Sequence, residues 1–132
     1  MCGGKRPPSF NKGYFYEPTV LAGVKKGMLI TEEETFGPVA AVIPFTSESE
    51  VIQMANDSEF GLASYFYSKD ISRIWRVAEA LEFGMVGVNT GLISTEVAPF
   101  GGFKQSGNGR ECGAYGLLEF LELKSINGYY AA

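Results

Sequence analysis

The feature that most constrains the fold is an alternation of short apolar segments with segments of helical periodicity between residues 39 and 89. Residues 39–43 are apolar at every position, which is typical of a strand covered on both faces. Short strands separated by helices of about ten residues are typical of right-handed parallel crossovers. The sequence therefore predicts an α/β fold with a parallel β-α-β-α-β layer. Its predicted elements are, in order, strand 39–43, helix 47–56, strand 62–67, helix 71–81 and strand 85–89.

Local signals support both predicted helices. Ser47 and Glu50 have the spacing of a capping box, in which each side chain satisfies a backbone N–H of the first turn. Asp70 is a predicted N-cap of the second helix, and Gly84 is its predicted stop. The periodicity also predicts a core-facing stripe on that helix at Ile71, Ile74, Trp75, Ala78 and Leu81.

The start of the chain predicts less regular structure. Residues 1–8 are rich in Gly and Pro, which favours a turn. Residues 14–21 are aromatic and β-branched, and Pro18 confines such a segment to the edge of a sheet. We expect an irregular entry followed by an edge strand.

Two later segments are expected to carry function. Residues 89–109 form a long predicted loop beyond the carboxyl end of a strand, which is where open α/β sheets bind ligands. Asn89 and the glycines of this loop are expected to shape it. After a short helix to about Leu118, residues 120–126 alternate apolar and polar, which predicts a half-buried strand that needs a partner.

Composition excludes several kinds of chemistry. The 132 residues are 45% hydrophobic and 20% charged, which is a globular profile. Because the chain has no His, it can form neither a Ser-His-Asp arrangement nor a His-containing metal site. Cys2 and Cys112 lack CxxC spacing, which predicts neither a zinc site nor a disulfide framework.

Charge and hydropathy narrow the expected partners and location. The net charge is -4 and no basic run is present, so nucleic acid is not an expected partner. No apolar stretch approaches the roughly 20 residues of a membrane span, and no leader-like segment opens the chain. We therefore expect a cytoplasmic protein with no metal, nucleic acid or membrane partner.

Two motifs carry a family resemblance. The first is EEETFGP at 32–38, and the second begins at Asn89 and continues with PFGGFKQSGNGRE at 99–111. Together with NDSEFGL at 56–62, they resemble the aldehyde dehydrogenase family over essentially the whole chain. Within that family, GMVGVNTGLIS at 84–94 and EVAPF at 96–100 are most similar to the succinate-semialdehyde branch.

The resemblance implies an architecture and an activity. Residues 1–118 would be the C-terminal part of an aldehyde dehydrogenase catalytic domain, and residues 119–132 a terminal strand that serves as an oligomerisation arm. The family oxidises an aldehyde to a carboxylic acid with NAD or NADP: a Cys thiolate attacks the carbonyl, hydride passes to the cofactor, and the thioester is hydrolysed. No residue of this chain matches that nucleophile, and neither Cys2 nor Cys112 lies in the family's catalytic pattern. The choice between NAD and NADP stays open because the dinucleotide-binding domain has no counterpart here.

The resemblance also assigns roles to five residues. Glu34 would accept hydrogen bonds from the nicotinamide ribose, and Phe36 would pack near the nicotinamide ring. Ser94 would bind the distal carboxylate of succinate semialdehyde, and Phe100 would line the aldehyde channel. Glu111 would support a proton relay. Without the resemblance, Glu34 would be part of a solvated acidic run, the two aromatics would be core residues and Ser94 would be a turn residue.

The sequence leaves more than one hypothesis open. In the first, the chain is a C-terminal fragment of an NAD(P)-dependent succinate-semialdehyde dehydrogenase, inactive alone, that supplies nicotinamide-ribose and substrate-loop contacts. In the second, it is a non-catalytic assembly module that forms a homo-oligomer through the terminal strand. A truncated reading frame is a third explanation, suggested by Met1 directly before Cys2-Gly3-Gly4.

Overall fold

The computed structural model describes residues 2–10 and 12–129, which divide into two compact units, Met1–Glu50 and Val51–Ala132. In the first unit, two parallel strands pair with Thr19 opposite Val39 and Ala22 opposite Val42. The elements of this unit are β1 (Thr19–Ala22), α1 (Leu29–Glu32) and β2 (Val39–Val42). Helix α2 (Glu48–Asn56) crosses the boundary between the units.

The second unit is built around one parallel crossover. Its elements are β3 (Phe60–Gly61), β4 (Ala63–Phe66), α3 (Ile71–Ala80), β5 (Met85–Val88), β6 (Phe103–Lys104) and a 3₁₀ helix (Tyr115–Phe120). Strand β4 runs parallel to β5, and α3 connects them and packs on β5. Strands β3 and β6 form an antiparallel pair.

The predicted single parallel layer is therefore present only in part. The described residues form three two-stranded sheets, and β2 pairs with β1 instead of joining the β4–β5 pair. The apolar pattern located all three predicted strands and the parallel β4–β5 crossover, but it did not identify β1 as the partner of β2. The segment predicted as an edge strand becomes regular only at Thr19, directly after Pro18, which has no N–H to donate.

The helix caps follow the sequence. The Ser47 hydroxyl accepts a hydrogen bond from the Glu50 N–H at 3.1 Å, and the Asp70 carboxylate accepts one from the Arg73 N–H at 3.1 Å. The Glu50 carboxylate accepts the Thr46 N–H at 2.7 Å and the Thr46 hydroxyl at 2.6 Å. Since these bonds favour the charged form, with the hydroxyl contributing most, the pKa of Glu50 lies below its usual value. Both predicted helices are confirmed.

The core of the second unit is small and includes only part of the predicted stripe on α3. In the second unit Leu81, at 9% exposure, Val77 and Met85 are buried, whereas Trp75 and Ile71 are 64% exposed; in the first unit Val24 is buried. At about 100° per residue, Trp75 lies about 120° around the axis from Leu81, so the two side chains occupy different faces. The predicted stripe was wrong for Ile71 and Trp75. The helix also ends at Ala80, before the predicted stop at Gly84.

Two other predictions need correction. Strand β2 was expected to be covered on both faces, but most of its side chains are exposed. Residues 120–126 do not form a strand: Phe120 ends the 3₁₀ helix, and residues 121–129 are exposed and without helix or strand. A period-two pattern indicates which side chains would share a face if a strand formed. The strand itself also needs a neighbouring strand to stabilise it, and the pattern does not provide one. The last three residues of the predicted arm lie outside the described residues.

The long loop after β5 is also more ordered than predicted. It contains β6 and a single antiparallel bridge between Phe100 and Glu111. None of the helices in the described part of the chain has the length and apolar character that a bilayer crossing needs.

Candidate functional site

The base of the loop after β5 is held by the side chain of Asn89. The Asn89 N–H donates to the Phe66 carbonyl at 2.9 Å, which continues the β4–β5 ladder by one step. Its side-chain Oδ1 then accepts the Ser68 N–H at 2.8 Å, and its Nδ2 donates to the Ser68 carbonyl at 2.8 Å. The Asn89 backbone is left-handed, with φ 55°, a conformation that Asn tolerates better than most residues. The structure supports the predicted loop-shaping role of Asn89.

Two further contacts guide the start of this loop. The Thr90 hydroxyl accepts the Leu92 N–H at 3.1 Å, which closes a tight turn. Ile93 then lies against β5 at Gly87, where a Cβ would come within 2.9 Å of the Ile93 Cγ2. Ser94 follows, exposed, and within the part of the chain that the structure describes its hydroxyl makes no hydrogen bond. The Ser94 hydroxyl can therefore donate a hydrogen bond to a ligand, and the two residues before it, Leu92 and Ile93, are held by contacts.

Phe100 and Glu111, two residues assigned to the site, are direct neighbours. The Phe100 N–H donates to the Glu111 carbonyl at 2.8 Å, and the Glu111 N–H donates to the Phe100 carbonyl at 2.7 Å. Phe100 is half-buried and Glu111 is exposed. The backbone pairing therefore fixes the aromatic wall and the carboxylate side by side.

Both residues line a concavity of about 720 Å³ within the second unit. Much of its wall is glycine backbone, which lets chain segments approach closely. A Cβ on Gly101, for example, would come within 2.6 Å of the Gly109 carbonyl oxygen. The lining residues are Leu62, Phe100, Gly101, Gly102, Ser106, Asn108, Gly109, Arg110, Glu111, Cys112, Gly113, Gly116, Leu117, Glu119 and Phe120.

Arg110 ties one wall of the concavity together. Its guanidinium lies over the Phe103 ring at 5.5 Å from the centroid and donates to the Gly109 carbonyl at 2.6 Å. Its backbone N–H donates to the Glu119 carboxylate at 3.3 Å, which links the 3₁₀ helix to the glycine segment. The contacts of Arg110 therefore stabilise this wall. Arg110 directly precedes Glu111 in the sequence.

A cluster that we call the Lys104 anchor holds the other end of the loop. The Lys104 ammonium donates to the Asn56 carbonyl at 2.7 Å and the Ser58 carbonyl at 3.0 Å, and it pairs with the Glu82 carboxylate at 2.7 Å. The Asn56 side chain donates to the Ala80 carbonyl at 2.8 Å and accepts the Glu82 N–H at 2.9 Å. The anchor consists of Asn56, Ser58, Glu82 and Lys104.

Sequence reasoning missed the anchor. Lys104 and Asn56 both lie in the motifs that carry the family resemblance, but nothing in a single sequence indicates that residues 48 positions apart are in contact. A cation at the end of α2 is favourable because the last carbonyls of a helix lack intrahelical partners. Lys104 also has a left-handed backbone, with φ 54°, which marks it as a specialised position.

The two residues assigned to the cofactor lie in the first unit. Glu34 is exposed and follows α1, and Phe36 is 95% exposed. Short backbone bonds, from Gly37 to Thr35 at 2.9 Å and from Val39 to Gly37 at 2.8 Å, carry this segment into β2. Because Phe36 is not packed in this chain, the core-aromatic alternative does not hold for it. Ser94, Phe100 and Glu111 belong to the other unit.

The cysteines are both exposed and free. Cys2 forms a backbone bridge with Val20, and Cys112 lines the concavity with a left-handed backbone at φ 60°. Within residues 2–10 and 12–129, no group of three or more acidic or Cys side chains is arranged to hold a metal ion.

Comparisons with known proteins find relatives along almost the whole chain. The aldehyde dehydrogenase family model matches residues 1–126. The chain is 60% identical over 126 residues to glutarate-semialdehyde dehydrogenase of Pseudomonas aeruginosa, covering 96% of this chain and 26% of that protein. It is 54% identical over 124 residues to an NADP(+) succinate-semialdehyde dehydrogenase of Escherichia coli, covering 94% of this chain and 25% of that protein.

Solved structures give the same result for the fold. Succinate-semialdehyde dehydrogenase from Burkholderia pseudomallei is 62% identical, with a TM-score of 0.85 over 91% of this chain and 24% of that one. An NAD+ complex of an aldehyde dehydrogenase from Bacillus cereus is 46% identical, with a TM-score of 0.89 over 95% of this chain and 25% of that one. The chain thus spans about a quarter of the length of the relatives it matches.

Proposed function

The chain belongs to the aldehyde dehydrogenase family, and from this premise we propose that it supplies the C-terminal part of an NAD(P)-dependent succinate-semialdehyde dehydrogenase. In that enzyme the aldehyde is oxidised to a carboxylic acid. The chain spans about a quarter of its relatives and has no match to the family nucleophile, so we expect it to be inactive alone.

The observation that carries the proposal is the pairing of Phe100 with Glu111 on the wall of one concavity. The two backbone bonds between them, at 2.7 and 2.8 Å, hold an apolar surface and a carboxylate together. Phe100 would line the aldehyde channel and exclude water from it. Glu111, an exposed carboxylate, would support proton movement during hydrolysis of the thioester.

Ser94 would contribute to substrate selection. Its hydroxyl is exposed and available to donate to an anionic group, and such charge-assisted hydrogen bonds are stronger than neutral ones. Three relatives are named for aldehydes with an anionic distal group: two for semialdehydes and one, a Pseudomonas putida protein 59% identical to this chain, for 3-sulfolactaldehyde. An anionic distal group on the aldehyde is therefore central to the proposal.

Glu34 and Phe36 would contribute to binding of NAD or NADP. The Glu34 carboxylate suits the hydroxyls of the nicotinamide ribose because it only accepts hydrogen bonds. Phe36 presents an exposed ring that would pack near the nicotinamide. Both side chains are free of packing in this chain, as contacts with a bound dinucleotide require.

The test combines the purified chain with the part of a relative that precedes the matched region, supplied as a separate upstream polypeptide. We expect reduction of NAD or NADP by succinate semialdehyde only in the mixture. Ser94→Ala should raise the KM for succinate semialdehyde about tenfold, because it removes one hydrogen bond to a charged group. It should leave turnover of uncharged butyraldehyde unchanged. The matched control is Ser72→Ala, which removes an exposed hydroxyl from α3.

Two outcomes would contradict the proposal. Turnover by the chain alone would mean that the nucleophile lies within it, with Cys2 and Cys112 the residues to test first. No turnover in the mixture, with both polypeptides folded, would remove the enzymatic role.

A specific observation also favours a second candidate, a non-catalytic assembly module. Large apolar side chains are exposed between residues 117 and 129, and exposed apolar surface of this kind is typical of interaction sites. The terminal segment would pair with a second copy of the chain to form a homo-oligomer. Measurement of mass under dilution tests this role, and a monomer at every concentration would contradict it.

A further inference from the structure

The side chain of Asn89 acts as an additional rung of the β4–β5 sheet. A carboxamide has the same donor and acceptor as a peptide group, and that of Asn89 bonds both the N–H and the carbonyl of Ser68, each at 2.8 Å. The strand can therefore turn away at Asn89 without leaving the Ser68 backbone groups unpaired. We call this two-bond contact the Asn89 clamp.

The clamp joins two segments at the carboxyl end of the sheet. Ser68 also accepts the Asp70 N–H on its hydroxyl at 3.1 Å, and Asp70 caps α3. On the other side, Asn89 begins the loop that carries Ser94. The start of that loop is consequently fixed to the start of α3.

A second contact restrains the loop close to Ser94. Ile93 lies against Gly87 of β5, in space that exists because Gly87 has no side chain. Ser94 therefore follows directly after a residue seated on the sheet, and the clamp lies five residues before it. Two fixed points in six residues leave the chain between them little freedom.

We propose that Asn89 is a positioning residue for Ser94, so that the Asn89 clamp sets the preference of the enzyme for aldehydes with an anionic distal group. The inference rests on the proposed function for its substrate, whereas the placement of Ser94 by the clamp can be tested in the chain alone. Both polar atoms of the Asn89 side chain are bonded to Ser68, so Asn89 would act on the substrate through Ser94.

The chain offers a matched control for this role. Asn56 makes a contact of the same chemistry, donating to the Ala80 carbonyl at 2.8 Å and accepting the Glu82 N–H at 2.9 Å. Its truncation also removes two neutral hydrogen bonds, but at the opposite end of α3 from Ser68. A purely structural effect should therefore appear in both variants.

The first arm of the test uses amide hydrogen exchange and NMR shifts of the isolated chain. Asn89→Gly removes the side chain that forms the clamp and keeps a residue that accepts φ 55°. We expect faster exchange at Ser68 and shifted resonances at residues 90–94, whereas Asn56→Ala should affect Glu82 and leave Ser94 unchanged. An unchanged Ser94 resonance in Asn89→Gly would overturn the proposal, whatever the enzymatic function.

The second arm measures kinetics of the chain combined with its upstream portion. Asn89→Gly should raise the KM for succinate semialdehyde about tenfold, as expected when one charge-assisted hydrogen bond is misplaced, with kcat and butyraldehyde turnover changed less than about threefold. Asn56→Ala should leave the ratio of the two substrates unchanged. Equal losses with both substrates would overturn the selectivity claim. An inactive wild-type mixture with a perturbed Ser94 in the first arm would reject the proposed function and retain the positioning role.

Discussion

The Lys104 anchor and the terminal segment, residues 121–129, belong to the same compact unit. They differ in whether their side chains find partners within the chain. In the anchor, one ammonium group has three oxygen partners within 3.0 Å. In the terminal segment, Leu121, Leu123 and Ile126 are all exposed. The polar groups of the anchor are hydrogen-bonded within the chain, whereas the apolar side chains of the terminal segment are not buried within it.

The difference shows what an apolar pattern can indicate. The alternation in residues 120–126 predicts a face that is buried when a strand forms beside a partner. In this chain no such face is formed, and the 3₁₀ helix ends at Phe120. The pattern therefore indicates contacts that the terminal segment could make with a partner. The contacts of the anchor, in contrast, are already formed within the chain.

The sharpest test of this comparison truncates one leucine in each environment. Leu81→Ala removes a buried side chain from the small core and should lower the free energy of unfolding by about 2–3 kcal/mol. Leu123→Ala alters a fully exposed side chain and should change it by less than about 0.5 kcal/mol. Urea denaturation of the isolated chain measures both. A loss at Leu123 as large as that at Leu81 would mean that the terminal segment is packed in solution.

A smaller effect is expected from the anchor. Lys104→Met keeps most of the side-chain volume but leaves the Glu82 carboxylate and two carbonyl oxygens without their cation, which should cost about 2 kcal/mol. Lys124→Met, in the terminal segment, is the control and should be neutral within about 0.5 kcal/mol. Equal denaturation midpoints for the two variants would remove the distinction between the regions.

The smallest effect is expected at the exposed cap of α2. Because hydrogen bonds from Thr46 hold the pKa of Glu50 below its usual value, the cap should stabilise the chain above the unfolded-state pKa of Glu50. That contribution should disappear as pH falls through the lower folded-state pKa. Thr46→Val removes the hydroxyl bond and should raise the pKa of Glu50, measured by NMR titration of its side chain. An unchanged titration would show that the hydroxyl bond does not form in solution.

The parts of the fold that could be predicted are those that depend on neighbours in sequence. Ser47 with Glu50 and Asp70 with Arg73 are three residues apart, and both helix starts followed from them. Asn89 was expected to shape its loop, and the structure supports this role with a left-handed backbone, φ 55°, and a side chain bonded to Ser68. The outward position of Trp75 was missed, since Ile71 and Trp75 extend an apolar stripe whose buried part centres on Val77 and Leu81.

In the candidate site, the residues could be predicted from the sequence, whereas the contacts between distant residues could not. Motif resemblance singled out Phe100 and Glu111, but their mutual backbone pairing became evident only in the fold. The Lys104 contact with Asn56 spans 48 residues and has no local signal. The roles of Glu34, Phe36 and Ser94 depend on a ligand, so they stay predictions until binding is measured.

The outward position of the only tryptophan gives the chain an intrinsic optical reporter. Trp75 is 64% exposed on α3, where water can relax around the excited indole and keep its emission at long wavelength. A polypeptide that covers this face of α3 would shift the emission to shorter wavelength and shield the ring from iodide quenching. Association with an upstream polypeptide over α3 could therefore be followed by fluorescence in unlabelled protein, provided that the added polypeptide contains no tryptophan.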